Sequence, residues 1–325
     1  MATEYLKERV YMCECWARDG LQNIPKVIPT EHKIEMLNKF GKAGYARMET
    51  TSFSNPKRLP QFADAVDILK NIERAPGVQY KLTCINEVAV ERAVEAVKEG
   101  YGPDEISFMI SVSEAHDTFN TKMSHEEHWA QFDRMAKMAH SANLNIIATL
   151  GTVYGCPLAG DVAPEKVWQF VDRYLDLGVE YICLGDTTGA GNPLLVREMF
   201  GELMVRHPEV KKFVAHFHDT RGTGIANSLA AYETGVRYFD CALGAIGGQP
   251  ANYGYKYQLG FSGNVCSEDL ICMFEEMGIP TGIDPANVVE LGLRAEEILG
   301  EPQRSNVIRC GPVNHTAPIV DPPPS

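Results

Sequence analysis

Residues 212–221 read Lys-Phe-Val-Ala-His-Phe-His-Asp-Thr-Arg, an apolar run that stops at two histidines one residue apart. In a strand alternate side chains share a face, so His216 and His218 point the same way. Two imidazoles at a strand's end form half of a divalent-metal site. Taken alone, a His-x-His pair is more often one packed and one solvated histidine. The design recurs on both sides of this stretch: a short β-like run, a polar cluster, then a helical pattern. The runs fall at 10–16, 45–49, 80–84, 106–112, 146–150, 181–184, 213–218 and 238–243. Eight such units without a Pro/Gly-rich linker predict an α/β fold, a closed (β/α)8 TIM barrel, with a doubly wound open sheet as the alternative.

Local signals agree with that frame. Ile34, Leu37 and Phe40 step by three after Thr30, and Ser124 with Glu127 forms a capping box ahead of Trp129, Phe132 and Met135. Pro164 opens a helix whose core face is Val167, Phe170, Val171 and Tyr174. A further helix over 287–299 extends the chain beyond the eighth unit. Residues 1–310 are therefore expected to form one barrel domain, with 311–325, ending Asp-Pro-Pro-Pro-Ser, as an extended or disordered tail.

The chain's 325 residues are 45% hydrophobic, enough for a sizeable core, and its formal charge is -13. That balance argues against nucleic acid as a partner. The nine cysteines are scattered, several within apolar runs and none in a Cys-x-x-Cys pair, which suits a reducing compartment and no structural zinc. The first residues, Met-Ala-Thr-Glu-Tyr-Leu-Lys-Glu-Arg, carry acids and no apolar signal core. No apolar run reaches the roughly 18 residues of a membrane span. A cytoplasmic protein without a membrane partner is expected.

In a barrel of this kind, polar residues at the C-terminal ends of the strands share one mouth, where catalysis is housed. Arg18 and Asp19 follow the first run, Glu49 ends the second, Asn86 follows the third, and Ser113, Glu114 and His116 follow the fourth. Asp186 follows the sixth, His216, His218 and Asp219 end the seventh, and Gly247-Gly248-Gln249 and Asn264 follow the eighth. Each alone is ordinary loop chemistry: a turn, a helix cap or a mouth salt bridge. Together an Asp carboxylate, two imidazoles and an Asn carbonyl supply mixed oxygen and nitrogen ligation that suits Mg²⁺, Mn²⁺, Co²⁺ or Zn²⁺.

Arg18-Asp19-Gly20-Leu21-Gln22-Asn23, Glu49-Thr50-Thr51-Ser52-Phe53, Pro56-Lys57, Gly155-Cys156-Pro157, Leu184-Gly185-Asp186-Thr187, His216-Phe217-His218-Asp219-Thr220 and Ser262-Gly263-Asn264 span nearly the whole chain. In these motifs the sequence resembles the hydroxymethylglutaryl-CoA lyase family and, more broadly, metal-dependent barrel lyases and Claisen-type synthases. The Leu-Gln-Asn extension and the Pro-Lys pair favour the lyases. The resemblance implies a divalent metal, Mg²⁺ or Mn²⁺, on Asp19, His216, His218 and Asn264. It implies that Arg18 stabilises an enolate and that Glu49 orients Arg18 or the metal's surroundings. Gln22, Pro56 and Lys57 become candidate contacts for CoA, which enters as part of an acyl-CoA substrate. The implied reaction is retro-Claisen cleavage of hydroxymethylglutaryl-CoA, or a relative such as citramalyl-CoA, to acetyl-CoA and a keto acid. The alternative is a synthase condensing acetyl-CoA with a 2-oxo acid. A homodimer is also a family expectation.

One position departs from the family. Where the lyases carry a loop cysteine involved in proton transfer, this chain has Gln249, and an amide is neither acid nor base near neutral pH. Gln249 is left to hydrogen-bond a substrate carboxylate or order a water. Tyr253, Tyr255, Lys256 and Tyr257 of the same loop are candidate proton donors, with ordinary solvated side chains as the plainer reading.

Overall fold

A parallel strand covered on both faces must satisfy two environments at once, and the strands here divide their side chains accordingly. In Glu105–Ser111, for example, Ile106, Phe108 and Ile110 join the large apolar core beneath the helices. The alternate residues Glu105, Ser107, Met109 and Ser111 then face inward. The computed structural model of the chain describes residues 8–210, 212–248, 263–313 and 315. Eight parallel strands close into a barrel in sequence order: β1 Tyr11–Glu14, β2 Arg47–Ser52, β3 Gln79–Thr83, β4 Glu105–Ser111, β5 Asn145–Gly151, β6 Tyr181–Asp186, β7 Phe213–Phe217 and β8 Tyr238–Cys241, with β8 pairing back onto β1.

Helices follow the strands: α1 Thr30–Ala43, α2 Ala65–Asn71, α3 Glu87–Lys98, α4 Glu114–Thr121 with α5 His125–Ser141, α6 Pro164–Asp176, α7 Pro193–Arg206, α8 Gly224–Glu233 and α9 Ser267–Glu276. The expected additional helix is α10, Pro285–Leu299, and a short α11, Val307–Cys310, comes after it. The Ser124–Glu127 capping box is formed, and Val167, Phe170, Val171 and Tyr174 are the buried residues of α6. The proposed tail, 311–325, lies largely outside the described residues. None of the described helices is long and apolar enough to cross a membrane.

The barrel interior is unusually polar. Its apolar cluster is small, Ile147, Tyr181, Cys183 and Val214. Arg47 binds Glu105 through two hydrogen bonds of 2.7 and 3.0 Å near the N-terminal end. Above them, buried Lys81 lies between Glu49 at 3.7 Å and Asp240 at 3.8 Å. These ions are affordable in a dry interior only because each has a partner.

Candidate metal centre and active site

The chain leaves β1 through a π-helical turn, Trp16–Gly20, which carries Arg18 and Asp19 into the mouth. Glu14 anchors that exit from the outer side. Its carboxylate accepts from the backbone N–H of Trp16 and Leu243, both at 3.0 Å, and from the Ser267 hydroxyl at 2.6 Å, tying the end of β1 to the segment after β8. Burial pushes the Glu14 carboxyl up to about 8.

On β7, His216 faces inward and His218 lies just beyond the strand, bridged to Asn264. Asp19, His216 and His218 offer ligand atoms within 4.8 Å of one another. Both imidazoles are oriented from behind: His216 Nδ1 sits 3.2 Å from Asp240 Oδ2, and His218 Nδ1 sits 2.7 Å from the Thr187 carbonyl oxygen. A carboxylate and a carbonyl can only accept, so each Nδ1 carries the proton and each Nε2 presents a lone pair. The two Nε2 atoms nevertheless approach to 3.0 Å. Two lone pairs at that distance repel unless a cation or a proton lies between them.

Asn264 completes the cluster. Its Nδ2 donates to Asp19 Oδ2 at 2.6 Å and to the Ile246 carbonyl at 3.1 Å. Its Oδ1 is left buried with no hydrogen-bond partner among the described residues. The Asn264 amide meets Asp19 through its nitrogen, and its orphaned oxygen adds to the carboxylate and the two imidazole lone pairs the donor types a divalent cation takes, so the residues fit the ion the sequence implies. Gly247 closes the cradle. It has φ +94°, and a Cβ there would lie 2.7 Å from Asn264 Nδ2.

The carboxylates and the guanidinium are held in their ionised forms. Burial alone would raise the Asp19 carboxyl, but Arg18, then His218 and His216, hold it well below the usual range. Burial is likewise outweighed at Asp240 by Lys81 and His216, which keep it low, and at His216 by Asp240 and Asp19, which raise it. Arg18 donates to Glu49 at 2.7 Å, pairs with Asp19 at 3.2 Å and donates to Gln22 at 3.1 Å, and these acids keep its guanidinium charged despite burial. Glu49 in turn accepts from the Thr83 hydroxyl at 2.8 Å, and Thr83 from Ser107 at 3.2 Å.

The structure thus gathers Asp19, His216, His218, Asn264, Arg18 and Glu49 in one mouth. Gln22 is half-buried against Arg18, whereas Pro56 and Lys57 are exposed on the loop after β2. Gln249, with the tyrosines and lysine of its loop, lies outside the described residues; the adjoining Gly248 N–H is 3.4 Å from Asp19 Oδ2. Asn86 is the cap of α3, accepting from Ala89 N–H, and Asp186 closes a turn through Ala190 and Gly191. Cys156 sits in a tight turn in which Leu158 and Ala159 N–H point at its sulfur. Lys81 and Asp240 were not singled out in the sequence, because one charge inside an apolar strand looks like any exposed alternate residue. Inward parity with Glu49 and His216 is the signal that would have found them.

Comparison with known proteins gives a consistent picture. The model of the HMGL-like family matches residues 9–293. Hydroxymethylglutaryl-CoA lyase YngG of Bacillus subtilis is 36% identical over 91% of this chain and 95% of its own length. The human mitochondrial hydroxymethylglutaryl-CoA lyase is 35% identical over 88% of this chain and 85% of its own. Among solved structures, an HMG-CoA lyase from Acinetobacter baumannii, in complex with coenzyme A and 3-methylmalate, superposes with a TM-score of 0.86 at 34% identity, covering 95% of this chain and 97% of that one.

Proposed function

The chain belongs to the HMGL-like family and is an acyl-CoA carbon–carbon lyase of the hydroxymethylglutaryl-CoA lyase type, and from that premise we propose the site, metal and substrate through which it acts. Its substrate is hydroxymethylglutaryl-CoA or a close relative such as citramalyl-CoA, cleaved to acetyl-CoA and a keto acid. Asp19, His216, His218 and Asn264 hold Mg²⁺ or Mn²⁺. That ion, when bound, acidifies and orients the substrate's tertiary hydroxyl.

The protein's own groups do the rest. As the hydroxyl proton leaves to solvent and its oxygen becomes the keto acid's carbonyl, the carbon–carbon bond breaks and its electron pair passes onto the thioester, which becomes an enolate and then takes a proton from solvent to give acetyl-CoA. Arg18 meets that charge with a guanidinium already fixed by Glu49 and Gln22, where water would have to reorganise. Asp240 and the Thr187 carbonyl hold the two imidazoles in the tautomer that presents Nε2. Gln22, Pro56 and Lys57 line the approach for the CoA portion, and Gln249 meets the substrate carboxylate or an ordered water. The reading includes a cytoplasmic location, a single barrel domain and a homodimer.

The observation that carries this proposal is the convergence of two Nε2 lone pairs, each fixed by an acceptor behind its ring, with the Asp19 carboxylate, against which the Asn264 amide is packed with its oxygen orphaned. The test is incubation of purified protein with Mg²⁺ or Mn²⁺ and a panel of branched 3-hydroxyacyl-CoA esters, following acetyl-CoA by mass. Release from at least one member is expected. No acetyl-CoA from any member, in protein shown to hold metal, would end this reading.

A further inference from the structure

The register of the barrel marks a path leading away from the metal cluster. His216 on β7 is paired with Gly185 on β6, and Gly151 on β5 is paired with Ser111 on β4. Leu150 and Leu184 are partners, so Gly151 and Gly185 follow side by side. One layer of the mouth therefore runs His216, Gly185, Gly151, Ser111, with two positions that lack side chains between the imidazole and the hydroxyl. Three strand spacings are about 14 Å measured along the sheet, and the chord across a curved barrel is shorter. Met109, inward on the same strand as Ser111, is 43% exposed, as a side chain bordering open space must be.

Ser111 is held more firmly than a loop-edge serine needs. Its N–H donates to Asp117 Oδ1 at 3.0 Å, and its carbonyl accepts from His125 Nε2 at 2.8 Å. His128 Nδ1 fixes the other oxygen of Asp117 at 2.7 Å. Its hydroxyl lies 2.6 Å from Nδ1 of buried His116. Asn120 shares that nitrogen, its amide 3.2 Å away; when the nitrogen holds the ring proton and the amide turns its oxygen to it, Nδ1 also donates to Oγ, and the hydroxyl hydrogen is free to turn to a ligand oxygen. Three side chains from α4 and α5, His116, Asp117 and His125, thus converge on one serine that faces the mouth, with His128 behind Asp117, and none of them belongs to the metal cluster.

We propose that Ser111, oriented by His116, is a specificity-determining residue that hydrogen-bonds the carboxylate on the substrate portion leaving as the keto acid, across a floor made by Gly185 and Gly151. The inference rests on the lyase reading and deepens it: that reading assigns the metal and the enolate end and leaves Gln249 to the carboxylate or to an ordered water, and this one gives the carboxylate a donor fixed on β4. A carboxylate so placed would separate the enzyme's proper substrate from a 3-hydroxyacyl-CoA ending in a methyl group.

The test compares KM and kcat for hydroxymethylglutaryl-CoA with the inhibition constant of 3-hydroxy-3-methylbutyryl-CoA, which lacks the carboxylate. Ser111→Ala is expected to raise KM about ten- to a hundredfold, the worth of a hydrogen bond to a charged group, while the inhibition constant stays put. Ser111→Thr keeps the hydroxyl and is expected to restore most of the affinity. Gly151→Ala is the second variant; its new Cβ would stand 3.4 Å from Ser111 Oγ and 3.2 Å from Thr187 Oγ1, narrowing the floor without touching the serine's supports. It is expected to raise KM for the acid more than the inhibition constant of the analogue. An active wild type whose KM is unchanged in both variants, or variants that lose substrate and analogue alike, would overturn the inference alone. A wild type that releases no acetyl-CoA overturns the lyase reading, and this one with it.

Discussion

Replacing Asp240 by Asn should weaken metal binding more than any other change to a residue that is not itself a ligand. Asp240 Oδ2 lies 3.2 Å from His216 Nδ1 and 3.8 Å from Lys81 Nζ, and its other oxygen has no partner among the described residues. The amide is isosteric but uncharged, so two effects follow. The Nδ1–H of His216 loses an ionic acceptor that raised the ring's basicity, and loss of such a partner behind a metal-bound histidine typically costs about 10- to 100-fold in affinity. That range corresponds to about 1.4 to 2.7 kcal/mol. Lys81 meanwhile keeps Glu49 at 3.7 Å as its remaining counter-ion, and Glu49 must also serve Arg18 at 2.7 Å. Stripping one partner from a buried ion costs about 3 kcal/mol or more when nothing compensates, and Glu49 limits the loss here to a fraction of that. Isothermal titration with Mn²⁺ reads the first effect and chemical denaturation of the metal-free protein the second. A variant that binds Mn²⁺ within twofold of wild type would show that the carboxylate behind His216 does not support the site.

Other outcomes follow from the same geometry. Arg18→Met should lower kcat by about 10²- to 10³-fold, as removal of a single charge-stabilising donor does, while Mn²⁺ affinity stays close to wild type; equal losses of both would place Arg18 in the metal's support instead. Gly247→Ala, at φ +94° and facing Asn264, should destabilise the protein by about 1 to 3 kcal/mol, measured by denaturant titration. The pH dependence of stability has a sign set by Glu14 and Glu268, which burial pushes up to about 8 and about 7. With folded values above the ordinary carboxylate value, the folded state binds more protons than the unfolded chain between about pH 4.5 and 8, so their contribution to stability declines as pH rises through that window. Thermal melts should fall from pH 5 toward pH 8, and Glu14→Gln should flatten the decline; an unchanged slope in that variant would contradict the assignment.

Much of the fold was legible because a parallel barrel writes the same phrase eight times. Each strand is a short apolar run, each ends in polar residues, and Pro164 and the Ser124–Glu127 box mark helix starts by local chemistry alone. The convergence of the candidate ligands was legible for a different reason: Asp19 follows β1, His216 lies on β7 and Asn264 lies in the segment after β8, so the barrel topology brings them to one mouth although some 200 residues of chain intervene between Asp19 and the others. What escaped notice depends on parity and tertiary contact. Lys81 and Asp240 are charges in apolar strands, and only the closed barrel turns them inward to face each other. Glu14 bonds to Leu243 and Ser267, partners that no local pattern names. The π-helical turn that carries Arg18 has no residue signature, since its extra residue is accommodated by backbone hydrogen bonds.

The central claim is that one divalent ion on Asp19, His216, His218 and Asn264 is required for carbon–carbon cleavage. Mn²⁺ binding and acetyl-CoA release from hydroxymethylglutaryl-CoA, measured in parallel on wild type and His216→Ala, test it most directly. The expected result is one ion per chain with turnover in the wild type, and loss of both together in the variant. A His216→Ala protein that binds no metal yet retains full turnover would contradict it.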